Sequence, residues 1–177
     1  MRIALLSDTH GYMGPEILEA VSGCDEIWHA GDIGSLAVTD QLAAIAPLVG
    51  VYGNIDDYRV RAEFPEDQWL EREGLSILMT HIAGAPGRYN PRVRGLLREK
   101  RPDLLVCGHS HILRVFRTPV QGHWYLNPGA AGKHGFHVIR TLLTFTLGPG
   151  GLSEMAVVEF GKRGALPSGE GLGEVGD

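Results

Sequence analysis

Five times along this chain a short apolar run stops at a cluster of Gly, Asp, Asn or His. Asp8-Thr9-His10 follows residues 3–7, Gly31-Asp32 follows 26–29 and Gly53-Asn54 follows 48–52; His81 follows 75–80, and Gly108-His109-Ser110-His111 follows 104–107. Runs of this length read as strands, and apolar stretches such as those at 3–6 and 104–107 suit strands covered on both faces. Helix-like segments separate the first three, at 15–21, where Pro15 favours a helix start, and at 35–46, with Ser35 as an N-cap. Strand, helix, strand, helix, strand is the order that builds a parallel sheet, whose functional residues gather at the carboxyl ends of the strands. The repeated feature therefore predicts an α/β fold with one polar, chemically equipped edge.

The second half has a different rhythm. Residues 68–72 and 75–80 read as a hairpin around Glu73-Gly74, and 91–100 as a basic helix stopped by Pro102. Strands are expected at 113–118, 123–126, 137–147 and 153–160, with few helical signals between them, so the C-terminal part is expected to be antiparallel. A chain of 177 residues, 44% apolar and 21% charged, has material for one sizeable core and not for two ordinary domains. That domain is expected over residues 1–160. Residues 161–177 are rich in Gly and charge and poor in large apolar side chains, which predicts a loosely packed tail.

The apolar runs are far shorter than the roughly 20 residues that span a bilayer, so no membrane segment is expected. The first run is also too short for a secretory signal, which places the protein in the cytoplasm and leaves Cys24 and Cys107 reduced. A net charge of −5 argues against a general nucleic-acid-binding surface but not against a small phosphorylated substrate. A homo-oligomer is compatible with the sequence, which does not specify one.

Asp8, His10, Asp32, Asn54, His81, His109 and His111 offer carboxylate and amide oxygens with imidazole nitrogens, a mixture suited to Mn²⁺, Fe²⁺, Ni²⁺, Co²⁺ or Zn²⁺. Alternation in Asp8-x-His10 and His109-x-His111 would put both members of each pair on one side of an extended segment. Any one of these residues alone reads as a turn, cap or core residue. The ordered set is harder to explain that way. The chain carries no Walker-type loop, no G-x-S-x-G turn and no G-x-G-x-x-G fingerprint.

The ordered set D-x-H, G-D, G-N, H and G-H-x-H resembles that of the calcineurin-like metallophosphoesterases, most of all their small single-domain bacterial and archaeal phosphodiesterases, from residue 1 to 160. The resemblance implies an αββα sandwich, two mixed sheets flanked by helices. It also implies two divalent transition-metal ions, Mn foremost, with Asp8, His10 and His111 on one, Asn54, His81 and His109 on the other, and Asp32 bridging. A hydroxide activated by such a dinuclear centre would attack the phosphorus of a small phosphoester, a diester by analogy with the smallest members. Elementary electrostatics agrees, because two cations roughly 3.5 to 4 Å apart relieve the repulsion between hydroxide and an anionic ester.

Two positions depart from the family pattern. Where many members have a histidine after Gly-Asn, thought to protonate the leaving group, this chain has Ile55, followed by Asp56 as a residue that could support the site. Where a glycine commonly follows the metal-binding histidine, it has Ile82, which would narrow the approach to the second metal. The loss at position 55 keeps a second reading open, since a eukaryotic retromer subunit with this fold lacks the same histidine and acts chiefly as a binding scaffold. Elsewhere, His29 and Cys107 are expected to pack or support, Asn127-Pro128-Gly129 resembles a family loop near the metals, and Arg88 and Arg92 flank a helix where they could meet phosphate or only solvent. His123, His134 and His137 have no interpretable spacing.

Overall fold

The structure is a computed structural model and describes residues 1–119 and 122–164. In chain order the elements are β1 (Arg2–Leu6), α1 (Pro15–Val21), β2 (Glu26–His29), α2 (Leu36–Ala43), β3 (Leu48–Gly50), α3 (Tyr58–Glu63), β4 (Asp67–Arg72) and β5 (Leu75–Thr80). They continue with β6 (Gly84–Ala85), β7 (Arg88–Tyr89), α4 (Pro91–Lys100), β8 (Leu104–Val106), β9 (Leu113–Arg117), β10 (Trp124–Pro128), β11 (Ile139–Gly148) and β12 (Gly151–Lys162). Two five-stranded mixed sheets result, ordered β12-β11-β1-β2-β3 and β4-β5-β8-β10-β9, with β6 and β7 forming a separate small hairpin.

Side-chain alternation along β1 explains the layering. Ile3 and Leu5 face the second sheet and join Trp28, Ile77, Met79, Leu104, Val106, Leu126 and Phe145 in the core between the sheets. Ala4 and Leu6 face outward, where Ile17 and Val21 of α1, Val38 and Leu42 of α2 and Val60 of α3 cover them. On the far side, Val93 and Leu97 of α4 cover Leu78, Leu105 and Tyr125. The four layers are the expected αββα sandwich.

Register brings the polar edge into line. Leu6 lies beside His29, and His29 beside Gly50, in the parallel run β1-β2-β3. In the second sheet Val106 lies beside Met79 and Leu126 in the parallel run β5-β8-β10. The expectation of an antiparallel C-terminal part thus holds for the pairs β9–β10, β1–β11 and β11–β12, and β10 departs from it only along its other side, where it lies parallel to β8 because the chain returns through β9.

Local chemistry accounts for other differences. Ser35 precedes α2 but makes no side-chain cap bond. Asp57 does cap, accepting the Arg59 and Val60 amides at 2.9 and 3.2 Å, and so starts the unanticipated helix α3. Strand β12 extends through Gly161 and Lys162, beyond the expected domain end, and positions 165–177 of the predicted tail lie outside the described residues. Cys24 and Cys107 are buried free thiols.

Glu26 ties one sheet to the other. It is 4% exposed, accepts the Trp28 indole N–H at 2.7 Å and takes the Arg72 guanidinium of β4 at 2.7 to 3.3 Å. Removing Glu26 leaves the buried Trp28 indole N–H without an acceptor and the partly exposed Arg72 guanidinium without its counter-charge, a loss at the lower end of that for a buried pair. Glu26→Ala should therefore lower stability by about 3 kcal/mol, read by urea denaturation; a loss within the scatter of surface substitutions would show that the bridge contributes nothing.

Candidate metal centre

Seven candidate ligands stand at the ends of the aligned strands, on loops fastened to one another across the sandwich. The Asp8 amide donates to the Gly31 carbonyl at 3.0 Å, the His10 amide to the Asp32 carbonyl at 3.0 Å, and the Gly108 amide to the His81 carbonyl at 3.1 Å. The His109 amide donates to Asp8 Oδ2 at 3.1 Å, joining the loops after β1 and β8. Asp8, His10, Asp32, His109 and His111 all have left-handed backbones, with φ between 49 and 66°. The extended geometry expected for the two alternating pairs is therefore absent, and His109 and His111 point into different donor groups.

Those groups are Asp8 with His10 and His111, and Asp32 with His81 and His109, the donor atoms of each lying within 4.8 Å of one another. Asn54 joins the second, its Oδ1 3.2 Å from His81 Nε2. Asp32 faces both groups, with Oδ1 3.3 Å from His81 Nε2 and Oδ2 3.8 Å from His10 Nε2. All seven residues named from the sequence thus stand in one cluster.

Hydrogen bonds on the outer side of two imidazoles fix which nitrogen faces inward. His137 Nε2–H donates to the Gly132 carbonyl at 3.0 Å, which leaves its Nδ1 to accept the Nδ1–H of His111 at 3.1 Å. The His111 Nε2 lone pair then points at Asp8 Oδ1, 3.1 Å away. His81 Nδ1–H donates to the Ala30 carbonyl at 2.7 Å, which turns His81 Nε2 toward Asp8, Asp32 and Asn54. A Cβ at Gly31, whose φ is 94°, would lie 2.6 to 2.7 Å from this ring, so only glycine lets His81 approach.

Without a cation these atoms are poorly satisfied. Asp8 Oδ1 and His10 Nε2 are buried with no hydrogen-bond partner. Burial alone would lower the His81 pKa, but Asp32, Asp8 and the Ala30 carbonyl outweigh it and raise the value. Burial would likewise raise Asp32, and the adjoining His81 and the Ile55 amide turn the net direction downward. Burial lowers His10 and His109 in spite of the nearby carboxylates. Unpartnered oxygen and imidazole nitrogen converging on one space are what a divalent cation needs, so the residues fit such a group.

Neighbouring side chains fall into clear roles. Both oxygens of Asp56 are occupied by the amides of Ile33, Gly34 and Gly53 at 2.7 to 3.1 Å, so Asp56 fastens two ligand loops and touches no substrate space. Asn127 braces the loop after β8 through the Gly108 carbonyl and Ser110 Oγ, at 2.8 and 3.2 Å. Cys107 is buried, which pushes its thiol up to about 12, and it belongs to the apolar core beneath α4. Arg92 is held by Glu66 and Asp67, whereas Arg88 is exposed. His134, with its ring centroid 4.9 Å from that of His10, and His137 belong to the site through a loop whose spacing carried no signal. His123 pairs with Tyr89 instead.

Residues 1–149 match the family model of the calcineurin-like phosphoesterase superfamily domain. The chain belongs to that superfamily. A probable metallophosphoesterase from Methanothermobacter thermautotrophicus is 29% identical over 135 residues, 73% of this chain and 77% of the relative. An archaeal phosphodiesterase superposes with a TM-score of 0.71 at 21% identity, covering 90% of this chain and 100% of the other. Vps29 complexed with Zn²⁺, from Entamoeba histolytica, gives 0.66 at 17% identity, covering 90% and 99%. At these identities the two structures establish the shared fold.

His29 is fully buried and neutral. Gly31 N–H donates to its Nδ1 at 3.2 Å, its Nε2–H donates to Thr9 Oγ1 at 2.9 Å, and the Thr9 hydroxyl passes to the Ile33 carbonyl at 3.0 Å. Burial lowers its pKa from 6.5 to about 3. Below pH 6.5 the unfolded chain takes up a proton that the folded one refuses until about pH 3, so this contribution to stability is present above 6.5 and lost across that window, by at most about 1.4 kcal/mol per pH unit. Denaturation of wild type and His29→Gln from about pH 7 to 4 should show a shallower pH dependence in the variant; parallel curves would exclude the role. For the centre itself, Asp32→Asn should reduce metal bound at both positions, and His10→Ala mainly at one. Full metal content in the Asp32 variant, by elemental analysis, would remove Asp32 from the shared position.

Proposed function

We propose that the chain is a phosphodiesterase that uses two divalent cations, one on Asp8, His10 and His111 and one on Asn54, His81 and His109, with Asp32 shared. The observation that carries the reading is the pair of donor groups with a carboxylate facing both. Three oxygen donors with four imidazoles suit Mn²⁺, the metal the resemblance puts first, and equally Fe, Ni, Co or Zn. When bound, the cations supply an activated water and offset charge developing on the phosphate.

The chain's own residues do the rest. His137 and the Ala30 carbonyl hold His111 and His81 with Nε2 inward. Arg92 is offset by Glu66 and Asp67, while Arg61, bonded through Nε and Nη2 to the carbonyls of Asp56, Gly53 and Asn54, keeps its charge beside Asn54 and His81. The single charge of a diester matches one such guanidinium, where a dianion would ask for more. Ile55, 45% exposed on the cavity wall, gives the leaving oxygen no proton. On this reading the chain through the end of β12 at Lys162 forms one hydrolase domain acting in the cytoplasm on a small phosphoester.

The second reading is a metal-bearing interaction scaffold. The likeness in fold to Vps29 favours it, as do the exposed Phe136 and Val138 beside the cavity and the apolar residue at position 55.

With Mn²⁺, bis(4-nitrophenyl) phosphate should be hydrolysed with higher kcat/KM than 4-nitrophenyl phosphate, and chelation should abolish turnover. Rates should fall steeply as the leaving group becomes more basic. General acid catalysis contributes about 10²- to 10⁴-fold where a poor leaving group needs a proton, so Ile55→His should help alkyl diesters far more than aryl diesters at matched metal content. The new imidazole must orient itself without Asp56, whose oxygens are taken. Equal leaving-group slopes for both proteins would show that proton donation at position 55 is not limiting, and a fully metallated protein inert toward every ester would support the scaffold.

A further inference from the structure

Two cavities meet at His109 and Ser110. One, of 240 Å³, is lined by His10, Asp32, Asn54, His109 and His111 of the ligand cluster and has Ile55 and Phe136 on its wall. The other, of 260 Å³, shares only His109 and Ser110 with the first and has no other candidate ligand in its lining. Ala83, Ala85, Pro86 and Ile112 form its apolar walls, Tyr125 contributes aromatic surface, and Arg114 lines it as well.

This second cavity is built rigidly. Asn90 holds the β6–β7 hairpin, donating from Nδ2 to the Ile82 carbonyl at 2.6 Å and from its amide to the Ala83 carbonyl at 3.0 Å, while its Oδ1 caps α4 through the Val93 amide at 2.8 Å. Gly84 opens β6 at φ 87°, where a Cβ would come within 2.9 Å of the Arg88 carbonyl oxygen and the Asn90 nitrogen, and Pro86-Gly87 make the turn. Tyr125 is fixed between Phe116 and Tyr89, with centroids at 5.3 and 6.5 Å. Arg114 is exposed, and among the described residues it has no carboxylate within ion-pair distance, in contrast to Arg72, Arg92 and Arg140.

A phosphodiester has two arms, and a phosphate held at the ligand cluster beside His109 can send one into each of the two cavities that share His109 and Ser110. We propose that the Ala83–Ile112–Tyr125 cavity binds the second arm of the substrate, and that this arm is a flat apolar group carrying an anion that meets Arg114. The inference rests on the phosphodiesterase reading for the position of the phosphate. It extends that reading from diesters in general to diesters with an acidic aromatic or heteroaromatic arm. Apolar walls supply affinity for the ring, and the unpaired guanidinium selects its charged substituent.

The test uses hydrolysis-resistant phosphonates on the Mn²⁺-loaded protein, so that binding is read without turnover. Methyl methylphosphonate, methyl phenylphosphonate and methyl (4-carboxyphenyl)phosphonate differ only in the arm. Calorimetry should rank them with the carboxyphenyl compound tightest and the methyl compound weakest. The carboxyphenyl-to-phenyl affinity ratio should be about threefold in the wild type, as for an exposed ion pair, and about one in Arg114→Gln. Ile112→Ser should reduce the phenyl-to-methyl ratio, and amide shifts on adding the phenyl compound should appear at Ala83, Ala85 and Ile112. Equal ratios in wild type and Arg114→Gln, no preference for aryl arms, or no binding of either aryl probe would overturn the proposal. Hydrolysis of methyl 4-nitrophenyl phosphate is followed in parallel. A protein that shows the aryl ratios but hydrolyses no diester retains the subsite and loses the phosphodiesterase reading, and a protein that hydrolyses the ester without the ratios does the reverse.

Discussion

Asp8 fastens loops from both sheets at the candidate site, and the rest of the site depends on how its atoms are used. Its amide reaches Gly31 after β2, its carbonyl accepts from Gly132 ahead of β11, and its Oδ2 accepts from His109 after β8. The remaining oxygen, Oδ1, is fully buried, faces His111 and His81, and has no hydrogen bond. A buried carboxylate oxygen left this way is costly unless a positive group completes it. The residue that binds the loops together is also the one that calls for a cation.

Backbone conformation carries part of the same cost. Left-handed φ values at non-glycine residues are uncommon, and each costs on the order of 1 to 3 kcal/mol unless the surroundings impose it. Here they occur at Asp8, His10, Asp32, His109 and His111, and cross-loop hydrogen bonds from the same or adjacent residues oppose the strain. Asp56 adds three amides from two loops, and the His29–Thr9–Ile33 chain couples the loop after β1 to that after β2. The imidazoles are therefore aimed before any ion arrives, which is what lets two nearby positions discriminate geometry as well as charge.

The ordered donor residues were legible because each sits where an apolar run ends, and burial of both strand faces makes such runs conspicuous. The side of the loop on which each donor falls was legible from the resemblance and not from alternation. Alternation assumes extended backbone, and the left-handed residues rotate His109 and His111 into separate groups. His134 and His137 reach the cluster through a loop between β10 and β11, and neither periodicity nor spacing encodes that return. Helix α3 escaped notice because six residues carry too little pattern, although Asp57 with Pro65 beyond the end is a legible capping signal. The β6–β7 hairpin, only two residues per strand, is specified by Asn90 and Gly84 and has no hydrophobic pattern of its own.

The same economy bears on the choice between enzyme and scaffold. A binding module that used cations only to fasten its loops would need the buried donors Asp8, Asp32 and His81, and these are at most 2% exposed. It would have no use for donors that open outward. Yet His109 and Asn54 are exposed, and His10 and His111 are partly so, all on the wall of one cavity. Ligands that close a structural site on one side and leave it open on the other give a bound cation room for a further partner. The open side is bordered by Ile55 and Phe136 together with the exposed imidazole of His134. What distinguishes this centre is thus concentrated on its outer wall, where an apolar side chain stands at position 55 and His134 brings an imidazole that belongs to neither donor group.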